Sequence, residues 1–291
     1  MRSLPVAFLL SVFLLLTAPS VVLPASAKKV GIRVVSMSPH YTSILFDIGA
    51  QDSLVGVTDY CRYPPEALRK PRVGGFLDPN IEKIVQLRPD LVLMLRSHGS
   101  KVEVMRGLGI EVLEMGNDRI RDVERAYDEL GRRLGRAREA AAAKARLKAR
   151  LDAVRKDPGR RPLTVLFVVG KDAGRMSNIC AAGPRTFPDE LLRLAGMTNL
   201  VGDSAVRYPF VSKEVILRRD PDLIVQMPPE GRDPKALASR EHDSWGAWKD
   251  LKAVREKRVF MVPDPRMMVP GPGMADLAEW LAAITADGSR K

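Results

Sequence analysis

The residues of this chain whose types could carry chemistry are few. They are three histidines (His40, His98 and His242), two cysteines (Cys61 and Cys180) and a glutamate that recurs, Glu82 and Glu214. No histidine stands in a metal-ligand or triad spacing, and neither a Gly-x-Ser-x-Gly elbow nor a Gly-rich phosphate loop is present. Cys61, beside Tyr60, could act as a thiol nucleophile, but nothing near it in sequence would lower its pKa. Without a Cys-x-x-Cys or His-x-x-x-His pair, a structural zinc site is not expected. The cysteines lie in different halves of the chain, and spacing alone does not tell whether they meet. No catalytic residue, no metal site and no cofactor is assigned, so an enzyme is not expected.

The glutamates point elsewhere. NIEKIVQLRPDLVLM (Asn80–Met94) aligns without a gap on SKEVILRRDPDLIVQ (Ser212–Gln226). Glu82 falls on Glu214, Ile84 on Ile216, and Pro89-Asp90-Leu91 on Pro221-Asp222-Leu223. An acid in the first turn of a helix complements the positive helix end by about 0.3–1 kcal/mol. That explains one acid per helix. It does not by itself explain the same position twice, although inheritance from a duplication would.

The elements that must position these residues alternate. Arg33–Ser36, Leu54–Val57, Arg72–Gly74, Leu91–Leu95 and Glu111–Leu113 read as strands. Ser38-Pro39 and Asp78-Pro79 read as cap-and-proline helix starts, the second leading the helix that carries Glu82, and Lys101–Leu108 as a third helix. The rhythm restarts at Leu163–Val169, with a helix capped by Thr186-Phe187-Pro188-Asp189, a Leu200-Val201-Gly202 echo of Leu54-Val55-Gly56, the Glu214 helix, strands at Leu223–Val225 and Val259–Val262, and a closing helix over Met274–Ile284. Between the two series, EAAAAKARLKARLDAV is a run of good helix formers on the order of 30 Å long. The expected fold is α/β: two Rossmann-like βα lobes joined by a single long rigid helix, with a ligand cleft between them. The expected boundaries are 28–135 for the first lobe, 136–158 for the helix and 159–291 for the second lobe.

Residues 1–27 read as a cleaved signal peptide: Arg2, the apolar run Val6–Thr17, then Ala25-Ser26-Ala27. A single-pass anchor is the competing reading, and Lys28 in place of Cys argues against a lipid anchor. The formal charge of +12 is spread along the chain without an aromatic-interleaved basic patch, so no nucleic-acid partner is expected. In a two-lobe fold the loops leaving the strand ends line the cleft. Those loops hold Tyr41, Tyr60, Tyr63, Phe76, Tyr208 and Phe210 in a chain that is 5% aromatic. Tyr63 and Phe210 are expected to plug their own cores, and Tyr60, Phe76 and Tyr208 to face the cleft.

Two stretches carry a resemblance. RVVSMSPHYTSILFDIGAQDSLVGVTDYCRYPPEA followed by PRVGGFLDPNIEKIVQLRPDLVL, and AGPRTFPDELLRLAGMTNLV followed by YPFVSKEVILRRDPDLIV, together resemble the periplasmic binding proteins of vitamin B12 and iron-chelate ABC importers. The resemblance implies a periplasmic, monomeric protein that captures a small metal chelate and delivers it to a membrane permease. It implies that Glu82 and Glu214 dock on that permease. DYCRYPPEA and Gly74-Gly75-Phe76 look most like the cobalamin-binding branch, which implies Tyr60 and Phe76 on one wall, Tyr208 on the other and Asp264 in a late polar loop. That loop departs from the family pattern, with Gly-Pro-Gly at 271–273 where Gly-Pro-Arg is common. Haem or a ferric siderophore is the alternative ligand, with His40, Tyr41 or His98 on iron and Arg96 or Arg207 on an anionic group.

Overall fold

The computed structural model describes residues 31–155, 162–172, 177–228 and 244–287. The expected leader, the last residues of the expected linking helix and His242 lie outside the described residues.

The first sheet is wholly parallel. It comprises β1 (Val34–Ser36), β2 (Leu54–Val57), β3 (Leu91–Leu95) and β4 (Glu111–Met115) in the order β2-β1-β3-β4. All five positions of β3 are apolar and buried, the pattern of a strand covered on both faces. The connecting helices are α1 (Pro39–Asp47), α2 (Ile81–Gln86) and α3 (Ser100–Gly107). Ser38 caps α1 by accepting from the His40 amide, with Pro39 opening the helix.

Two expectations fail here. Arg72–Gly74 forms no strand, only isolated bridges from Arg72 to Val57 and from Gly74 to Pro79. Gly74 turns the chain at φ 87°, and a Cβ there would lie 2.8 Å from the Asp78 carbonyl oxygen. The cap of α2 is Asn80 rather than Asp78, because its Oδ1 accepts from the Lys83 amide at 2.8 Å.

The second sheet holds β5 (Thr164–Gly170), β6 (Ile179–Ala181), β7 (Thr198–Asn199), β8 (Phe210–Val211), β9 (Leu223–Gln226) and β10 (Val259–Met261). Its order is β10-β9-β5-β6-β8, with β7 also on β5. β10, β9, β5 and β7 pair in parallel, while β6 and β8 are antiparallel and were not expected. Strands of two or three residues carry no readable period. Leu200–Gly202 is a turn rather than a second Leu54–Gly56 strand. Asn199 ends β7 by accepting from the Val201 amide and donating to the Ala182 carbonyl and Asp189.

The helices between and around this sheet are α4 (Ile120–Arg133), α5 (Ala137–Arg155), α6 (Phe187–Leu194), α7 (Lys213–Arg219), α8 (Lys252–Arg255) and α9 (Gly273–Asp287). The helix-forming run is α5, 19 residues long. Its stripe of Ala140, Ala143, Leu147, Leu151 and Val154 is buried, and it packs on α4, α6 and α9. One hydrophobic cluster runs from Val34 and Leu93 through this stripe to Phe167, Leu191 and Leu277. The two sheets therefore share a core through α5, and each keeps a smaller core of its own on its other face.

Candidate ligand-binding cleft

Parallel βα units gather their loops at the carboxyl ends of the strands, and there a cleft of 1170 Å³ opens. After β1 come Met37, Ser38 and Pro39; after β2, Thr58 and Tyr60; after β3, Leu95, Arg96 and Ser97; after β4, Gly116 to Arg119. From the second sheet's side come Arg185 and the Ala205–Tyr208 segment.

Tyr60, Phe76 and Tyr208, far apart in sequence, all line this cleft. Tyr60 and Tyr208 are 43% and 41% exposed, enough to offer ring faces to a ligand. Desolvation first, then the Asp118 charge, push the Tyr208 phenol up to about 12, so it stays neutral. Phe76 is half-buried against the His98 ring, with centroids 4.2 Å apart.

Neither His40 nor His98 lines the cleft. His40 is buried in α1, and its Nδ1 donates to the Pro270 carbonyl at 2.6 Å. That bond makes Nε2 the unprotonated nitrogen, and it has no partner among the described residues. Burial, partly offset by the Pro270 bond, lowers its pKa to about 4. His98 is also buried, its Nδ1 sitting 2.9 Å from the Leu95 amide and 3.0 Å from the Leu95 carbonyl, and desolvation lowers its pKa. Tyr41 belongs to α1 rather than a loop. It is fully buried, and its hydroxyl donates to the Met94 and Met115 carbonyls. Phe210, expected in a core, is 74% exposed, because β8 lies at the edge of its sheet. Tyr63 is half-buried.

Asp264 also stands outside the cleft lining. It caps a 3-10 turn (Pro265–Met268), accepting from the Arg266 amide at 2.9 Å and pairing with the Arg266 guanidinium. Partial burial raises its pKa, but the Arg266 bonds outweigh this and hold it below the usual range. Cys61 and Cys180 are both free thiols. Cys61 is buried between the Thr42 and Thr58 hydroxyls, each 3.2 Å from its sulfur, and burial pushes its pKa up.

The cleft is also cationic. Arg96, Arg119, Arg121, Arg185 and Arg207 line it against Asp118 and Asp122. Arg119 is held by Glu190 of α6 at 2.6 Å, Arg207 by Asp118, and Arg185 donates to the Ala205 carbonyl at 2.8 Å. The Arg96 and Arg121 guanidiniums are exposed and have no hydrogen-bond or ion-pair partner among the described residues. The sequence points to Arg96 and Arg207 but not to Arg119, Arg121 or Arg185. The loop after β4 obeys the same carboxyl-end rule as the others, and applying the rule to it would have found Arg119.

Glu82 and Glu214 lie on the protein surface away from the cleft lining, and both are exposed. Each is the second residue of its helix, after the caps Asn80 and Ser212. Hydrogen bonds from its own amide and from Ser212 lower the Glu214 pKa.

Two α/β sheets sharing a core, with a ligand-sized cleft at their strand ends, make a solute-binding protein. The chain belongs to the periplasmic binding protein family, whose pattern matches residues 34–265. The members of that family are solute-binding proteins, not enzymes. The vitamin B12-binding protein of Vibrio cholerae serotype O1 is 27% identical over 251 residues, covering 85% of this chain and 86% of that one. An ABC transporter substrate-binding lipoprotein of Bacillus subtilis, YvrC, is 27% identical over 267 residues, covering 88% and 80%. The crystal structure of the periplasmic vitamin B12-binding protein BtuF of Vibrio cholerae superposes with a TM-score of 0.77 at 25% identity, covering 90% of this chain and 99% of that one.

Proposed function

We propose that this protein is the periplasmic substrate-binding component of an ABC importer and that it captures a corrinoid. The observation that carries the corrinoid reading is the convergence of Tyr60, Phe76 and Tyr208 on one 1170 Å³ cleft. A corrin macrocycle is large and flat-faced, and binds best where aromatic area is offered with few obligatory polar anchors. The vitamin B12-binding relatives support the same reading. Loaded protein then docks on the permease through Glu82 and Glu214, one acid from each sheet's α2 or α7 helix. Calorimetric titration of the mature protein, from Lys28, with cyanocobalamin tests this. One-to-one binding at micromolar Kd or tighter is expected, and no heat at several temperatures would exclude the corrinoid.

A second reading, haem or a ferric chelate, draws on the five cleft arginines. Arg96 and Arg121, uncommitted within the protein, suit carboxylates of a ligand. Because neither His40 nor His98 lines the cleft, a ferric ligand would take its axial oxygen from Tyr60 or Tyr208. Affinity for haem that falls steeply with added salt, alongside no affinity for cyanocobalamin, would favour this reading.

A further inference from the structure

Beside the cleft lies a second cavity of 820 Å³, which shares Pro39 and Tyr60 with it. It is bounded by α1, the 60–70 segment, Arg150 of α5 and the Arg266–Asp276 stretch. The proposed reading leaves it without a role.

Its chemistry is particular. Phe46, Tyr60 and Tyr63 supply aromatic surface. Most of its charges are already committed. Lys70 donates to the Gln51 carbonyl at 2.8 Å, Arg150 is held by Asp276 and Glu279, Arg266 by Asp264, and Asp47 by Tyr127 and Arg146. The Arg62 and Arg69 guanidiniums are exposed and have no hydrogen-bond or ion-pair partner among the described residues, and Glu66 is the one lining residue whose carboxylate is in the same condition. Gly273 also lines it, packed directly on the Arg266 backbone. A Cβ there would lie 2.3 Å from the Arg266 carbonyl oxygen, so this position takes no side chain without moving backbone. The departure at 271–273 thus bears on this cavity.

Aromatic faces accept a heteroaromatic base. Two free guanidiniums accept a phosphate through forked N–H donors. A carboxylate accepts a sugar hydroxyl. Together they describe a nucleotide, and a nucleotide tail is what a complete corrinoid carries beyond its macrocycle. Resting on the corrinoid reading, we infer that this cavity is the subsite for the ligand's nucleotide tail. Arg62 and Arg69 meet the phosphodiester there, Glu66 meets the ribose, and Tyr60 stands between macrocycle and tail.

The test is calorimetric titration with cyanocobalamin and with dicyanocobinamide, which has the macrocycle but lacks the tail. Wild-type protein is expected to bind cyanocobalamin about tenfold more tightly or better. Arg62→Ala with Arg69→Ala should bring cyanocobalamin down to the cobinamide affinity and leave cobinamide unchanged. Arg62→Lys with Arg69→Lys keeps the charge without the fork and should recover part of the difference. Equal affinities in the wild type, or equal losses for both ligands in the alanine variant, would overturn the subsite while leaving the corrinoid reading standing. Absence of binding by either ligand would overturn both.

Discussion

At the level of single residues, the cleft separates side chains that look alike in sequence. Tyr208 and Phe210 are two positions apart, yet Tyr208 lines the cleft and Phe210 projects from a sheet edge. Tyr208→Ala should weaken ligand binding by about 1–3 kcal/mol, while Phe210→Ala should leave affinity unchanged, both read by calorimetry. His40 makes a prediction of a different kind. Its folded pKa, about 4, lies below the unfolded value of 6.5. Between those values the unfolded chain binds a proton that the folded chain refuses, so stability falls as pH drops from 6.5 to 4. The slope is about 1.4 kcal/mol per pH unit. Its physical source is the buried Nε2, which on protonation would become a charged donor without a partner. His40→Asn retains a donor for Pro270, and its Tm should fall less steeply than the wild type's across this window.

At the level of elements, the close approach of α4 and α5 rests on a glycine. A Cβ on Gly131 would lie 2.4 Å from the Ala140 Cβ and 3.2 Å from the Arg136 carbonyl oxygen. In an exposed helix, Gly→Ala stabilises by about 1 kcal/mol. Here the clash involves a side chain that cannot swing away, and overpacking of this sort costs about 1–3 kcal/mol. Gly131→Ala is therefore expected to lower the urea midpoint, with the slope of the transition unchanged. The ion pairs from Arg150 to Asp276 and Glu279, which tie α5 to α9, are largely solvent-exposed and should each add no more than about 1 kcal/mol.

At the level of the molecule, Glu82 and Glu214 occupy the same helical position beside different sheets, and both face solvent. Two outward acids at matched positions suit a partner with two matched basic sites. Glu82→Lys combined with Glu214→Lys should abolish uptake through a reconstituted importer while leaving ligand affinity in solution unaltered. Loss of ligand affinity in that variant would place the acids in the ligand site and remove their docking role. Besides the shared core and the Arg207–Asp118 pair, polar contacts join the elements of the two sheets. Glu190 of α6 holds Arg119 and accepts from the Ile120 amide at 2.8 Å, and His40 reaches Pro270.

The features legible in the sequence are those with a local cause. Periodicity marked α5, apolar runs marked β3 and β5, and Ser38 and Thr186 announced their helices, because each depends on neighbours a few residues away. The gapless match of Glu82 with Glu214 already put both acids at one helical position. What tertiary structure alone decided depends on contacts across hundreds of residues. His40 became a buried donor to Pro270 rather than a ligand, since only folding brings those two together, 230 residues apart. The arginines of the cleft came together from four separate segments that share no local pattern. Short antiparallel strands at a sheet edge and the second cavity were likewise invisible, because neither owes its existence to a local preference. Propensity acts along the chain, whereas burial and charge pairing act across space, and the cleft is made by the second.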